Sequence, residues 1–367
     1  MAIPMIFVRG SNYEVGYQIG NTFKSSIQKT IDMDAVDNYK IPNVEEIYKA
    51  YLNTVNSIYP HYVDEVRGIS DGAQVSFKHL FLGLIGPELT ALTGRHPFEV
   101  NSNAEGCTDL VLITETQKIL SHSEDTTGVM CSGYIIQAVI SPSRTNSKEE
   151  KFTAYVDPGM LPGNTFGFNT HGLIFTGNML FQKDITCIKS IPRKFITRAL
   201  LSATNIDDAV HIMEQLPGVA SGFNINVGCI GKGDDSARLY SIEIAHCPTG
   251  SKVDVQEYTG FDYHVNMYKR IDTLHYVDDS SIHRMRRIDE MPTPSNITDI
   301  LNIMSDEKDV LYPIFRNGNP PDSYVTASIG VFDLIKKELY VFKEKPDKYN
   351  YVPICIISLQ PNMNVVT

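Results

Sequence analysis

The 367-residue sequence has no tryptophan and only six cysteines. They fall at 107, 131, 187, 229, 247 and 355, and no pair has CxxC spacing. In a chain this long they do not form a disulfide scaffold and read as reduced cytosolic thiols. No run approaches the roughly 20 apolar residues of a membrane helix. The opening "MAIPMIFVRGSN" lacks a basic stretch before its short apolar one, so no signal peptide is expected. Basic residues are scarce and scattered: 32 Lys and Arg stand against 43 Asp and Glu, a net charge of −11. That speaks against nucleic acid or an anionic membrane as partner. The ten histidines show no HExxH or similar spacing, so neither a metal nor another cofactor is expected. "GKGDD" at 231–235 lacks the glycine-rich loop and following helix of a phosphate site and reads as a hairpin turn.

What is present is an ordinary globular composition, 42% hydrophobic and 20% charged. Residues 1 to about 95 read as mostly helical, with apolar residues at helical spacing in "NYEVGYQIGNTFKSSIQKTI", "NVEEIYKAYLNTVNSIYPHYVDEVRGISDGA" and "SFKHLFLGLIGPELTAL". Asn43, with Glu46 three residues on, is a candidate cap. Residues 96–106, "HPFEVNSNAEG", are polar and turn-rich and read as an exposed linker. From Cys107 the texture changes. "CTDLVLI" and "KILSHS", separated by "TETQ", form a hairpin signal. Further strands are expected in "YIIQAVIS", "KFTAYV", "TFGFNTHGLIFTGN", "FNINVGCIG", "ARLYSIEIA", "VTASIGVFDL" and "ELYVFK". Helices fit "PRKFITRALLSAT", "NIDDAVHIMEQL", 280–290 and 295–305. Strands grouped after helices suggest an α+β layered fold.

Cys107 opens the first strand. A lone cysteine there is commonly a small buried hydrophobe. Three neighbours point further. Gly106 ends a polar linker, where a backbone bond can be cut. Thr108 is small and hydroxylated. Asp125 closes the partner strand, so a hairpin would return it beside Cys107. If the Gly106–Cys107 bond breaks, Cys107 becomes an N-terminal residue. Its α-amine, with a reference pKa of roughly 7.7–8.0, then serves as base for its own thiol. No catalytic histidine is required, and His122 reads as packed and hydrogen-bonded.

The chain resembles the N-terminal-nucleophile (Ntn) hydrolases of the acyl-CoA:6-aminopenicillanate acyltransferase family, and within it the members that hydrolyse β-alanyl amides. "RGSNYEVGYQIG", "VRGISDGA", "GCT", "SHSED", "LPGNTFGFNTHGLIF", "RKFITRALLSATNIDDA", "DYHVNMYKRI", "SSIHRM" and "SIGVFDL" carry the resemblance along nearly the whole chain. It implies an αββα sandwich made from one precursor cut into a mostly helical 1–106 subunit and a catalytic 107–367 subunit that stay together. It implies Cys107 as nucleophile, Asp125 as partner of its amine, and Asn266 in "HVNMY" as an oxyanion contributor. It also implies Asn178 in "FTGNML" as a second contributor and Arg316 in "YPIFRNG" as an active-site arginine. Two features depart from the family. Asp109 stands where a hydroxyl residue is common, and "PPDSYVTAS" lacks the Ser-Arg pair of the penicillin acyltransferases.

The expected substrates are β-alanyl amides of biogenic amines, N-β-alanyldopamine or β-alanylhistamine. Their ammonium needs a carboxylate if it is to leave water. Asp109 shares a strand face with Cys107 and is the preferred candidate. Glu124, expected to face the other way, is the alternative, and His264 is grouped with them on the substrate side, though alone it reads as a packed residue. Two rivals stand beside this reading. One is an acyltransferase on the same scaffold; the other is an uncut, silent binding protein.

Overall fold

The computed structural model describes residues 3–38, 40–94, 106–127, 132–183, 185, 187–231, 237–346 and 351–360. The chain opens with β1 (Met5–Gly10), followed by α1 (Asn12–Thr22), α2 (Lys24–Asn38), α3 (Val44–Ile58), α4 (Pro60–Ala73), α5 (Phe77–Leu84) and α6 (Gly86–Leu92). The expected helices are present but more finely divided. Pro60, which has no N–H and fits a first helical turn, separates α3 from α4. Gly86–Pro87 does the same between α5 and α6. Ser11 caps α1: it accepts from the Glu14 N–H, and the Glu14 carboxylate accepts the Ser11 N–H at 2.8 Å. Asn43 does not cap α3 with its side chain. It sits in the left-handed region, at φ 58°, which directs the chain into the helix without that bond.

The strands are β2 (Gly106–Ile113), β3 (Lys118–Thr127), β4 (Tyr134–Ile140), β5 (Glu150–Val156), β6 (Phe166–Asn169), β7 (Leu173–Met179), β8 (Phe223–Cys229), β9 (Arg238–Cys247), β10 (Gly250–Glu257), β11 (Phe261–His264), β12 (Tyr324–Asp333), β13 (Glu338–Phe342) and β14 (Cys355–Ser358). They form two sheets. One runs β1-β4-β5-β6-β7-β8-β9-β10, with β1 parallel to β4; the other runs β11-β2-β3-β12-β13-β14. The "GKGDD" turn largely lies outside the described residues, but the strands it joins, β8 and β9, pair antiparallel.

Side-chain alternation sorts each strand between two cores. Along β4, Tyr134, Ile136, Ala138 and Ile140 pack outward under α1–α6, α7 (Arg193–Leu200) and α8 (Ile206–Glu214). Ile135 turns inward to meet Val111 and Leu120 of the second sheet. On the far side, Leu110, Leu112 and Ile119 pack under α9 (Asp279–Asp289) and α10 (Ile297–Met304). The order is helices, sheet, sheet, helices: an αββα sandwich.

Helix α1 approaches α4 through glycines. A Cβ on Gly16 would lie 2.1 Å from the Glu65 carbonyl oxygen, and one on Gly68 would lie 2.1 Å from that of Tyr13. This contact seats Glu65 in the interior, where it meets Arg198 of α7. The buried guanidinium donates to Glu65 through Nε at 3.0 Å and Nη2 at 2.9 Å, and to Glu150 of β5 through Nη1 at 2.8 Å. It lies between the rings of Tyr62 and Phe152. Glu65→Ala leaves Nε and Nη2 of the buried guanidinium without their acceptors, with Glu150 holding only Nη1. It should cost about 3–5 kcal/mol, read as a lower urea midpoint. An unchanged midpoint would rule the network out as a stabilising element.

Candidate active site

The β2–β3 hairpin sets the register that decides which side chains meet. Cys107 lies opposite Glu124, Gly106 opposite Asp125, and Asp109 opposite His122. Directly opposed residues in an antiparallel pair share a face. Cys107, Asp109, His122 and Glu124 therefore all point between the sheets, while Asp125 points to the outer side under α9. The sequence expectation is corrected here by one residue. Asp125 neighbours the residue before the cysteine, and Glu124 shares the cysteine's face rather than turning away. The loop from Ile113 to Lys118 fixes this pairing. The exposed-linker reading of 96–106 is also corrected at its last residue: Gly106 is buried as the first residue of β2, and residues 96–105 lie outside the described set.

Between the sheets, His122 is held from both ends. Nδ1 faces the Asp109 carboxylate at 3.1 Å and Nε2 faces Glu124 at 3.2 Å. Although burial opposes it, the two carboxylates hold the imidazole proton well above the usual histidine range. Burial, with the Glu124 charge added, pushes the Cys107 thiol up to about 12. Sγ of Cys107, a His122 nitrogen and a Glu124 oxygen lie within 4.8 Å of one another, close enough to hold a cation. A metal taking Nε2 would first have to break the His122–Glu124 hydrogen bond.

Both oxygens of Asp109 already have partners. Its Oδ1 faces His122 and its Oδ2 accepts from Asn178 Nδ2, and the residue is fully buried. Asn178 is thereby directed to Asp109 rather than to the thiol. Its own Oδ1 accepts from Asn224 at 3.1 Å. Asn226, Thr176 and Tyr258 extend this polar layer across the first sheet.

The backbone of Cys107 is clamped on both sides. Its N–H donates to Asn266 Oδ1 at 3.1 Å. Its carbonyl accepts from Arg284 Nη1 at 2.6 Å, and the same nitrogen donates to the Thr108 hydroxyl at 2.8 Å. Arg284 Nη2 closes the ring on Asn266 Oδ1 at 2.9 Å. Asn266 Nδ2 donates to the Met179 carbonyl at 3.1 Å. Two donors on Oδ1 and one acceptor at Nδ2 set the amide's orientation.

The loop carrying Asn266 is itself held by Glu243. That carboxylate accepts the N–H groups of Lys269, Arg270 and Ile271 and faces His264 Nε2 at 3.0 Å. These bonds outweigh its burial and keep it ionised, at about 2. His264 is buried, and its Nδ1 faces the Val265 carbonyl at 2.7 Å. Both its nitrogens serve the loop, so the substrate-side expectation finds no free group there.

On the outer face, Asp125 Oδ1 accepts from the Thr326 hydroxyl at 2.7 Å. Oδ2 is buried with no hydrogen-bond partner among the described residues. Burial pushes this carboxyl up to about 6, against the pull of the Arg316 and Arg284 guanidiniums. Arg316 is gripped by Asp322 through Nε at 2.7 Å and Nη2 at 2.5 Å, and it lies over the Tyr324 ring. Its Nη1 occupies the space over Gly106, where a Cβ would come within 2.3 Å of it. Only glycine fits that position while Arg316 stays on Asp322.

The sequence pointed to Cys107, Asp125, Asn266 and Arg316, which the structure gathers in one place, and to His122 as packed and hydrogen-bonded, but not to Arg284, Glu243 or the two carboxylates that hold His122. Arg284 lies inside "SSIHRM", read only as a family segment. Glu243 was visible as a charge at an inward position of an alternating strand.

The αββα sandwich, with its helices outside two facing sheets, is the fold of the Ntn-hydrolase type. The acyl-coenzyme A:6-aminopenicillanic acid acyl-transferase family model matches residues 113–348, and the chain belongs to that family. It is 30% identical, over 368 residues, to a β-alanyl-dopamine/carcinine hydrolase of Drosophila melanogaster, spanning 95% of this chain and 94% of that protein. Penicillin V acylase from Agrobacterium tumefaciens aligns with 65% of this chain and 82% of its own at a TM-score of 0.39 and 13% identity.

Proposed function

We propose that this protein is a self-processing cysteine amidohydrolase that releases β-alanine from β-alanyl amides of biogenic amines, dopamine or histamine. The observation that carries the reading is the double clamp on the Cys107 backbone by Asn266 and Arg284, beside a glycine that Arg316 tolerates only as glycine. Such a clamp suits a residue whose own peptide bond is to be cut. The Drosophila relative motivates the substrate class. After cleavage before Cys107, the 1–106 piece remains bound to the 107–367 piece. The freed amine takes the thiol proton, and Sγ attacks the amide carbonyl. The amine then protonates the leaving amine, and water releases β-alanine from the thioester. Asp125 orients the amine, and Asn266 with backbone N–H groups stabilises the oxyanion; losing one such donor typically costs about 10²–10³ in rate. The five described cysteines are free thiols, which supports a cytoplasmic setting. Among the described residues no helix is long and apolar enough to cross a membrane.

Incubation with N-β-alanyldopamine should yield equimolar β-alanine and dopamine by mass spectrometry. An excess of acceptor amine separates this from the acyltransferase reading that the family's description motivates. Product carrying the β-alanyl group on the acceptor would favour transfer; free β-alanine alone would favour hydrolysis.

Asp109 supplies a further test. Because its two oxygens are spent on His122 and Asn178, Asp109→Asn should lower kcat/KM equally for a β-alanyl amide and its uncharged propionyl analogue. A loss confined to the β-alanyl substrate, seen as a raised KM, would return Asp109 to ammonium binding.

A further inference from the structure

Self-processing poses a problem that turnover does not. The base of the mature site is the α-amine of Cys107, and that amine does not exist until the bond is cut. In the uncut chain the same nitrogen is a peptide N–H, and it donates to Asn266. The thiol that must attack is buried and held far from ionisation. Another group must therefore take its proton.

We propose that the His122–Glu124 pair, oriented by Asp109, is the proton acceptor for Cys107 during maturation. This rests on the self-processing reading above. The register places both residues on the inner face, Glu124 directly opposite Cys107 and His122 two residues before it. A His122 nitrogen and a Glu124 oxygen each lie within 4.8 Å of the thiol sulfur, and His122 Nε2 faces Glu124 at 3.2 Å. Asp109 from β2 faces the remaining nitrogen, Phe166 of β6 lies beside the ring, and Gly330 of β12 pairs opposite without a side chain. The groups facing the imidazole from these elements are thus two carboxylates, a thiol and an aromatic ring.

The step balances without an oxidant or cofactor. The thiol proton passes to the Glu124 carboxylate directly across the hairpin, which His122 Nε2 holds in place. Sγ bonds to the Gly106 carbonyl carbon. The Gly106–Cys107 C–N bond breaks, and the stored proton passes to the departing nitrogen, which becomes the α-amine. Water then hydrolyses the Gly106 thioester, giving a Gly106 carboxyl group and a free Cys107 thiol.

The test uses freshly translated full-length chain, followed by gel as it converts to two fragments. His122→Gln and the near-isosteric Glu124→Gln should each slow conversion by about 10²-fold or more, the usual range for a lost acid–base group. In Glu124→Gln the thiolate must come from hydroxide, so conversion should rise about tenfold per pH unit. Turnover per matured molecule should fall by a much smaller factor than conversion does. Thermal melts of the same substitutions in a Cys107→Ala background establish that both variants fold. Conversion within threefold of wild type in both variants would overturn the proposal. So would a slowed rate that ignores pH, or equal losses in conversion and turnover, each of which marks a structural role. If wild-type chain does not convert at all, the self-processing reading falls, and this proposal falls with it.

Discussion

Cys107→Ala should stay one uncut chain of 367 residues and release no amine from any β-alanyl amide. The expectation follows from a single sulfur serving twice. On the proposed mechanism Sγ attacks the Gly106 carbonyl in the precursor and the substrate carbonyl in the mature enzyme. Alanine keeps the small volume of a fully packed position and leaves the Asn266 and Arg284 clamps on the backbone untouched, so the fold should persist. Intact-mass spectrometry reads the first outcome and amine release reads the second. Wild-type protein should show a fragment beginning at Cys107. Cleavage of the alanine variant at the same bond would assign the cut to another protease.

Asp125→Asn should lower maturation or turnover by about 10²–10⁴-fold, the range for a lost acid–base partner, while leaving the melting temperature at pH 7 no lower than wild type. The two halves have one origin. Asp125 is buried, and its carboxyl lies at about 6 rather than the ordinary 3.8. A carboxyl raised in the folded state favours folding at pH below the ordinary value and loses that contribution as pH rises through about 6. At pH 7 its negative charge therefore costs stability, and asparagine removes the cost while keeping an acceptor for Thr326. On the proposed mechanism the charge serves the chemistry: it meets the amine that cleavage would release beside Gly106. Wild-type activity should accordingly fall as the pH drops through about 6, where Asp125 takes up its proton, and the asparagine variant should lack that acid limb. An unchanged rate and an unchanged acid limb would remove Asp125 from the mechanism.

Much of the fold was legible because burial and period coincide. The strands from 107 to 156 and those of 223–245 and 324–342 are apolar runs bounded by turn residues, and α7–α10 carry clear start signals. What escaped was short or only half apolar: β1, β10, β11 and β14. β1 gains its place only by pairing with β4, more than a hundred residues on, and no local pattern encodes such a partner. The site was legible in its residue types and misread in its register. One position of slip moves a side chain to the opposite face of a strand. For this reason Glu124, rather than Asp125, meets the thiol. His122 looked like packing because its two carboxylates lie on either side of it only once the hairpin has closed. Arg284 was invisible because its contacts with Cys107 span 177 residues of chain.

The Arg198 network and the β1–β4 pairing both join residues before Gly106 to residues after it. A cut between them changes the kinetic order of refolding. The intact precursor recovers from denaturant as one molecule, at a rate independent of dilution. The severed pair must find each other again, because one piece holds Glu65 and the edge strand while the other holds Arg198 and the sheet that strand completes. Its recovery becomes a second-order association, efficient in concentrated solution and failing on dilution.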